Sequence, residues 1–179
     1  MTEEKYQLVK DSYISHIKEY IKDAGGLFPH VTVLADEIEN NDSKPAIIHI
    51  PIPDDLMRDE ESKDIFVDDI LPDIMENIKQ KFKPHAIAWA SEAWMRKADK
   101  DFDFEKQDYK KLPKMEVIFV SIETKDKAET YLYEMNKVGM KVNEDGLCDD
   151  IQLTELEDLR DANRTEGRFA GLYKKLIND

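Results

Sequence analysis

The stretch from Pro84 to Arg96, Pro-His-Ala-Ile-Ala-Trp-Ala-Ser-Glu-Ala-Trp-Met-Arg, constrains this chain most. It is the longest weakly charged run and holds both tryptophans, Trp89 and Trp94. Read as a strand, one face carries Ile87, Trp89, Ser91, Ala93 and Met95, and the other Ala86, Ala88, Ala90, Glu92, Trp94 and Arg96. Alanines on one face let a helix approach the sheet closely, and Trp89 on the other is a core anchor. Alanine's helix propensity and a helix-opening role for Pro84 keep a helical reading open. The strand is preferred because a long helix precedes it and both alternating faces make sense. Glu92 and Trp94 share the alanine face. Either Glu92 is paired there, or that end of the strand leaves the core and Trp94 marks a binding surface.

Around this stretch the periodicities alternate. Tyr6, Val9, Tyr13, Ile17, Tyr20, Ile21 and Ala24 make one apolar stripe of a helix over Thr2 to Ala24, with Thr2 as N-cap and Gly25-Gly26 as exit. Strands follow over Phe28 to Ala35 and Ala46 to Ile52, separated by the polar run Asp36 to Lys44. Phe66, Ile70, Ile74, Ile78 and Phe82 step by four along a second helix, with Ser62 as N-cap and Pro84 as stop. Pro72 predicts a kink, or two shorter helices. After a charged loop from Ala98 to Pro113, Lys114 to Glu123 is the clearest strand, with Glu129 to Asn136 as its hairpin partner. Val138-Gly139-Met140 suggests a turn before a short strand through Val142, and Asn143-Glu144-Asp145-Gly146 a further turn. Asp150 to Leu156 reads as an edge strand, Arg160 to Gly167 as a polar segment, and Phe169 to Leu176 as a short helix. The expected fold is a single α+β domain over 1–179. It has a mainly antiparallel sheet of about five to six strands, two long helices on one face and a short C-terminal helix.

Charge narrows the functional classes. The net charge is −14, a balance that repels nucleic acid backbones and anionic lipid and favours solubility or basic partners. Cys148 is the only cysteine, so neither an intramolecular disulfide nor a cysteine-based zinc site is expected. The first residues lack the pattern of a signal peptide and no apolar run reaches membrane-spanning length, so the cytoplasm is the expected compartment. No cofactor or metal is expected.

Complete catalytic sets are missing from the sequence. The sharpest partial one is nuclease-like: Asp54 after one strand, then Glu123 and Lys125 at the end of another. Two carboxylates of this kind hold a divalent metal that activates water, and the lysine stabilises charge on phosphate. A strand end entering a charged turn is the simpler reading. His30-Val31-Thr32 has the His-x-Thr form that two-histidine phosphoesterases use twice, but His16, His49 and His85 supply no second copy. Ser91 has no surrounding Gly-x-Ser-x-Gly, and Asn143 to Gly146 departs from the EF-hand spacing.

Three short motifs carry a resemblance. Ala90-Ser91-Glu92-Ala93-Trp94-Met95, a strand ending in Ser121-Ile122-Glu123, and Gly167-Arg168-Phe169-x-Gly171-Leu172 together resemble a loose group of small uncharacterised proteins of bacteriophages and bacteria. The resemblance covers roughly the second half of the chain. It implies a viral accessory or bacterial cytosolic origin and no particular activity. The resulting expectation is a non-enzymatic acidic protein acting through a protein partner or self-association, with Trp94, Glu92, Tyr131 and Tyr133 as partner-binding residues. The alternative is a metal-dependent nuclease or phosphodiesterase using Asp54, Glu123 and Lys125.

Overall fold

The computed structural model describes residues 3–38, 45–98, 101–103, 105–156 and 169–177. Thr2 and the segment Arg160 to Gly167 lie outside them, as does most of the polar run from Asp36 to Lys44. The fold is α+β. Helix α1 (Glu3–Ala24) leads into strands β1 (His30–Glu37) and β2 (Pro45–Pro51). A 3₁₀ turn (Asp54–Met57) and helices α2 (Glu60–Ile65) and α3 (Leu71–Lys81) follow, joined by a π-helical turn over Phe66–Ile70. Then come β3 (Phe82–Arg96), β4 (Lys114–Thr124), β5 (Ala128–Asn143), β6 (Gly146–Glu155) and the short helix α4 (Leu172–Leu176). The six strands form one sheet in the order β2-β1-β3-β4-β5-β6, and every pairing is antiparallel.

The stretch that holds both tryptophans becomes β3, an interior strand. Its alternation is as expected: Ala88 and Ala90 pack with Tyr13, Ile17 and Ile21 of α1. Ile87 and Trp89 pack on the opposite face with Phe66, Leu71, Met75 and Ile78. The two long helical segments therefore lie on opposite faces, not on one. The reason is visible on β3 and β4: Ile87 and Trp89 point one way while Ala88, Ala90, Ile118, Val120 and Ile122 point the other. Both faces are apolar, so each needs its own cover.

Local departures from expectation have local causes. Pro72 sits in the first turn of α3, where its missing N–H is harmless, and the π-helical turn precedes it. The N-cap of α2 is Asp59, whose carboxylate accepts from Ser62 N at 2.8 Å, so Ser62 lies inside the helix. Pro84 does not stop α3. It lies within β3, where the β1–β3 register shifts between Leu34 and Ala35, a break that accommodates a residue unable to donate to the ladder. The turn expected at Val138-Gly139-Met140 is instead a bulge between Lys137 and Gly139, and β5 runs on unbroken to Asn143. Edge strand β2 is bounded by Pro45 and Pro51, which blunt it against further pairing.

Gly25 ends α1 with φ of +74°, against β6. A Cβ there would lie 2.9 Å from Cys148 Cβ and 3.0 Å from Asp149 N. Gly25→Ala is therefore expected to cost about 2 kcal/mol or more, from left-handed strain plus crowding against backbone. Urea titration checks this, and an unchanged midpoint would mean that α1 does not exit over β6.

Candidate functional site

The residues singled out by the nuclease pattern do not converge. Asp54 is exposed in the 3₁₀ turn after β2, and Lys125 is exposed in the turn between β4 and β5. Strands β1 and β3 separate β2 from β4, a lateral distance of about 14 Å at ordinary strand spacing. Glu123 is only 4% exposed, and its carboxylate is already committed. Its Oε1 accepts from Gly171 N at 2.7 Å and its Oε2 from Tyr173 N at 3.0 Å, so it caps the start of α4. Burial pushes its pKa up, and the backbone donors of Tyr173, Gly171 and Leu172 offset part of that rise. Among the described residues, no group of three or more His, Cys, Asp or Glu side chains is placed to hold a metal ion.

Tyr131 and Tyr133 correct the expectation of exposed aromatics, at 3% and 2% exposure. They lie on the face of β5 that meets α1, with Met135 beside them. The Tyr131 hydroxyl donates to Glu129 Oε2, which also accepts from Tyr6 at 2.7 Å. Lys18 Nζ sits 4.5 Å from the Tyr133 ring centroid. Hydrophobic periodicity around these tyrosines is the periodicity of a strand under a helix.

Glu92 and Trp94 resolve differently. Glu92 Oε1 accepts from Leu27 N at 2.5 Å, fastening the segment between α1 and β1 to β3. Two residues later Trp94 is 64% exposed. Across the sheet from it stands Glu116, which pairs with Lys137 at 3.5 Å, and Lys137 pairs with Asp149 at 3.0 Å. This row of charges links Trp94 to an overhanging arm. The β4–β5 register begins at Val117↔Glu134, whereas the β5–β6 register extends to Asn143↔Gly146. From Lys137 onward β5 thus pairs only with β6. Val138, Met140, Val142 and Leu147 on this two-stranded arm are all exposed. The arm is braced at its base, where Asn143 Nδ2 donates to Asp23 O at 2.6 Å.

A second feature was missed by inspecting the histidines one at a time. All four line clefts between α1 and the β1–β2 ribbon. In one cleft, of about 240 Å³, Asp36 Oδ2 meets His85 Nε2 at 2.6 Å and Lys5 Nζ at 2.7 Å. Partial burial works to raise the Asp36 pKa, but hydrogen bonds and charge from Lys5 and His85 outweigh it and hold the group below its usual value. In the other cleft, of about 300 Å³, the His49 ring stacks on His16 at 5.1 Å and meets His30 edge-on at 5.5 Å. Burial lowers the pKa of His30, against a partial rise from its bond to Phe28 O, with His16 adding to the lowering. Burial, then His30 and His16, lower that of His49. The signal that could have found this cluster is hairpin register. Pairing Thr32 with His49 brings His30 and His49 onto one face of neighbouring strands.

No family model, curated protein or solved structure matches this chain. No helix among the described residues is long and apolar enough to cross a membrane.

Proposed function

We propose that this chain is a protein-binding module whose docking surface is the β5–β6 arm together with Trp94. The observation that carries the reading is the overhang, which exposes Val138, Met140, Val142 and Leu147 on a ribbon paired to nothing else in the sheet. Two-stranded ribbons are marginal in water on their own, and clustered exposed apolar side chains mark interaction surfaces. Glu144, Asp145, Asp149 and Asp150 surround the apolar side chains on the arm, and the Lys137 ammonium is already shared between Glu116 and Asp149. With a net charge of −14 overall, the complementary occupant is a basic protein surface with apolar side chains of its own, not a second copy of this chain. If the chain is phage-encoded, such a partner lies in the host cytoplasm.

A titration with a designed lysine-leucine amphipathic helix tests this. The Trp94 indole N–H and the arm amides are expected to shift together in nuclear magnetic resonance spectra. The triple variant V138S/M140S/V142S is expected to bind at least tenfold more weakly with an unchanged melting temperature, a size typical of losing central apolar contacts. Equal binding by the triple variant would overturn the reading. So would sedimentation showing a dimer that the triple variant cannot form, because the surface would then belong to a second copy.

A further inference from the structure

We propose that the cleft between α1 and the β1–β2 ribbon, beside His16, His30 and His49, binds a small neutral aromatic molecule through one hydrogen bond that the ligand donates to His49 Nε2. The chain of bonds beneath the cleft decides which ring nitrogen is free. His30 Nδ1 lies 2.9 Å from Phe28 O, and a carbonyl only accepts, so Nδ1 carries the proton and Nε2 is an acceptor. Tyr13 Oη lies 3.4 Å from that Nε2 and donates to it. Tyr13 and Thr32 are fully buried and bonded to each other, so Thr32 Oγ1 donates to Tyr13 Oη. Thr32 Oγ1 then accepts from His49 Nδ1 at 2.9 Å. His49 Nδ1 therefore carries the proton, and His49 Nε2 is left as a bare acceptor on an exposed ring at the cleft.

The rest of the cleft says what the ligand is. No Asp, Glu, Lys or Arg lines it, although 37% of the chain is charged. Its walls are Ile17 and Tyr20 on α1 and Phe28, Pro29 and Pro51 opposite, with Phe28 well exposed. Uncharged imidazoles and apolar walls favour neither a cation nor an anion. They favour a flat apolar body with one polar hydrogen. A volume of about 300 Å³ takes one or two aromatic rings.

Phenol is the probe and toluene its control, the same shape without the donor. Ring-proton signals of His16, His30 and His49 are followed in wild type and in His49→Phe, which keeps an aromatic ring over His16 but has no acceptor. Phenol is expected to shift these signals saturably and to bind at least tenfold more tightly than toluene. In His49→Phe the two probes are expected to bind equally, at unchanged melting temperature. Thr32→Val, which frees His49 Nδ1 from its orienting partner, is expected to reduce the preference for phenol without abolishing binding. Shifts that do not saturate, equal binding of phenol and toluene to wild type, or a phenol preference retained in His49→Phe would each overturn the proposal.

Discussion

Replacing Glu123 by alanine is expected to cost about 3 kcal/mol and to release α4 from the sheet. The carboxylate accepts from Gly171 N and Tyr173 N in a site that excludes water, and hydrogen bonds to a charged acceptor contribute about 1.5–3 kcal/mol each. Losing them also strands the first N–H groups of α4. In a chain of this length the loss corresponds to a fall in melting temperature of roughly 6–12 °C. Trp89 reports the event directly, because its ring lies 4.8 Å from that of Phe169, two residues before Gly171. Its emission is expected to move to the red. Glu123→Gln keeps one acceptor oxygen and is expected to cost about 1 kcal/mol.

The same residue carries a pH signature. Because burial raises its folded pKa above the ordinary 4.5, the folded state holds this proton more tightly than the unfolded state. Its contribution to stability is fully present below pH 4.5 and is lost as pH rises through the raised folded value. Urea titrations across that window should show Glu123→Gln with a flatter dependence than wild type. An alanine variant as stable as wild type, with Trp89 emission unmoved, would show that α4 does not depend on this carboxylate.

Ala88→Leu is the second large effect expected. Ala86, Ala88 and Ala90 are fully buried, and Ala88 and Ala90 share a core with Tyr13, Ile17 and Ile21 of α1. Three added carbons have no void to enter, and overpacking of this kind costs about 3 kcal/mol. Amide exchange along α1 is expected to accelerate more than exchange along α3, which lies on the other face. Ala93→Leu, at a half-buried position of the same strand, serves as the control with little loss. Equal destabilisation of α1 and α3 would contradict a helix seated on the alanines.

These two residues also show what was legible in the sequence. The alternation of alanines with Ile87 and Trp89 predicts both faces of β3, because side-chain direction in a strand has a period of two. It does not say which helix covers which face, since that depends on the connection between β2 and β3. Glu123 at a strand end is visible as a carboxylate, but its partners are backbone groups 48 and 50 residues away. Backbone donors leave no trace in residue types. Tyr131 and Tyr133 failed as surface residues for a related reason: one amphipathic strand looks the same whether its aromatic face meets a partner protein or its own helix. Lys137-Val138-Gly139 resembles a turn in composition, and the bulge there uses the same chemistry without reversing the chain. The histidine cluster needed two strands to be placed in register before any of its members met.

The strand order has a consequence for how the chain finds its fold. Four of the five pairings join strands that are neighbours in sequence: β1–β2, β3–β4, β4–β5 and β5–β6. Each such hairpin closes a comparatively short loop. The exception is β1–β3, which joins residues such as Val31 and Trp89 across the whole of β2, α2 and α3. Loop-closure entropy concentrates in that one step. Two locally assembled halves, α1 with the β1–β2 ribbon and the β3–β6 meander, therefore meet along a single seam, and the zipping of β1 onto β3 sets the pace at which either helix acquires a complete sheet to pack on.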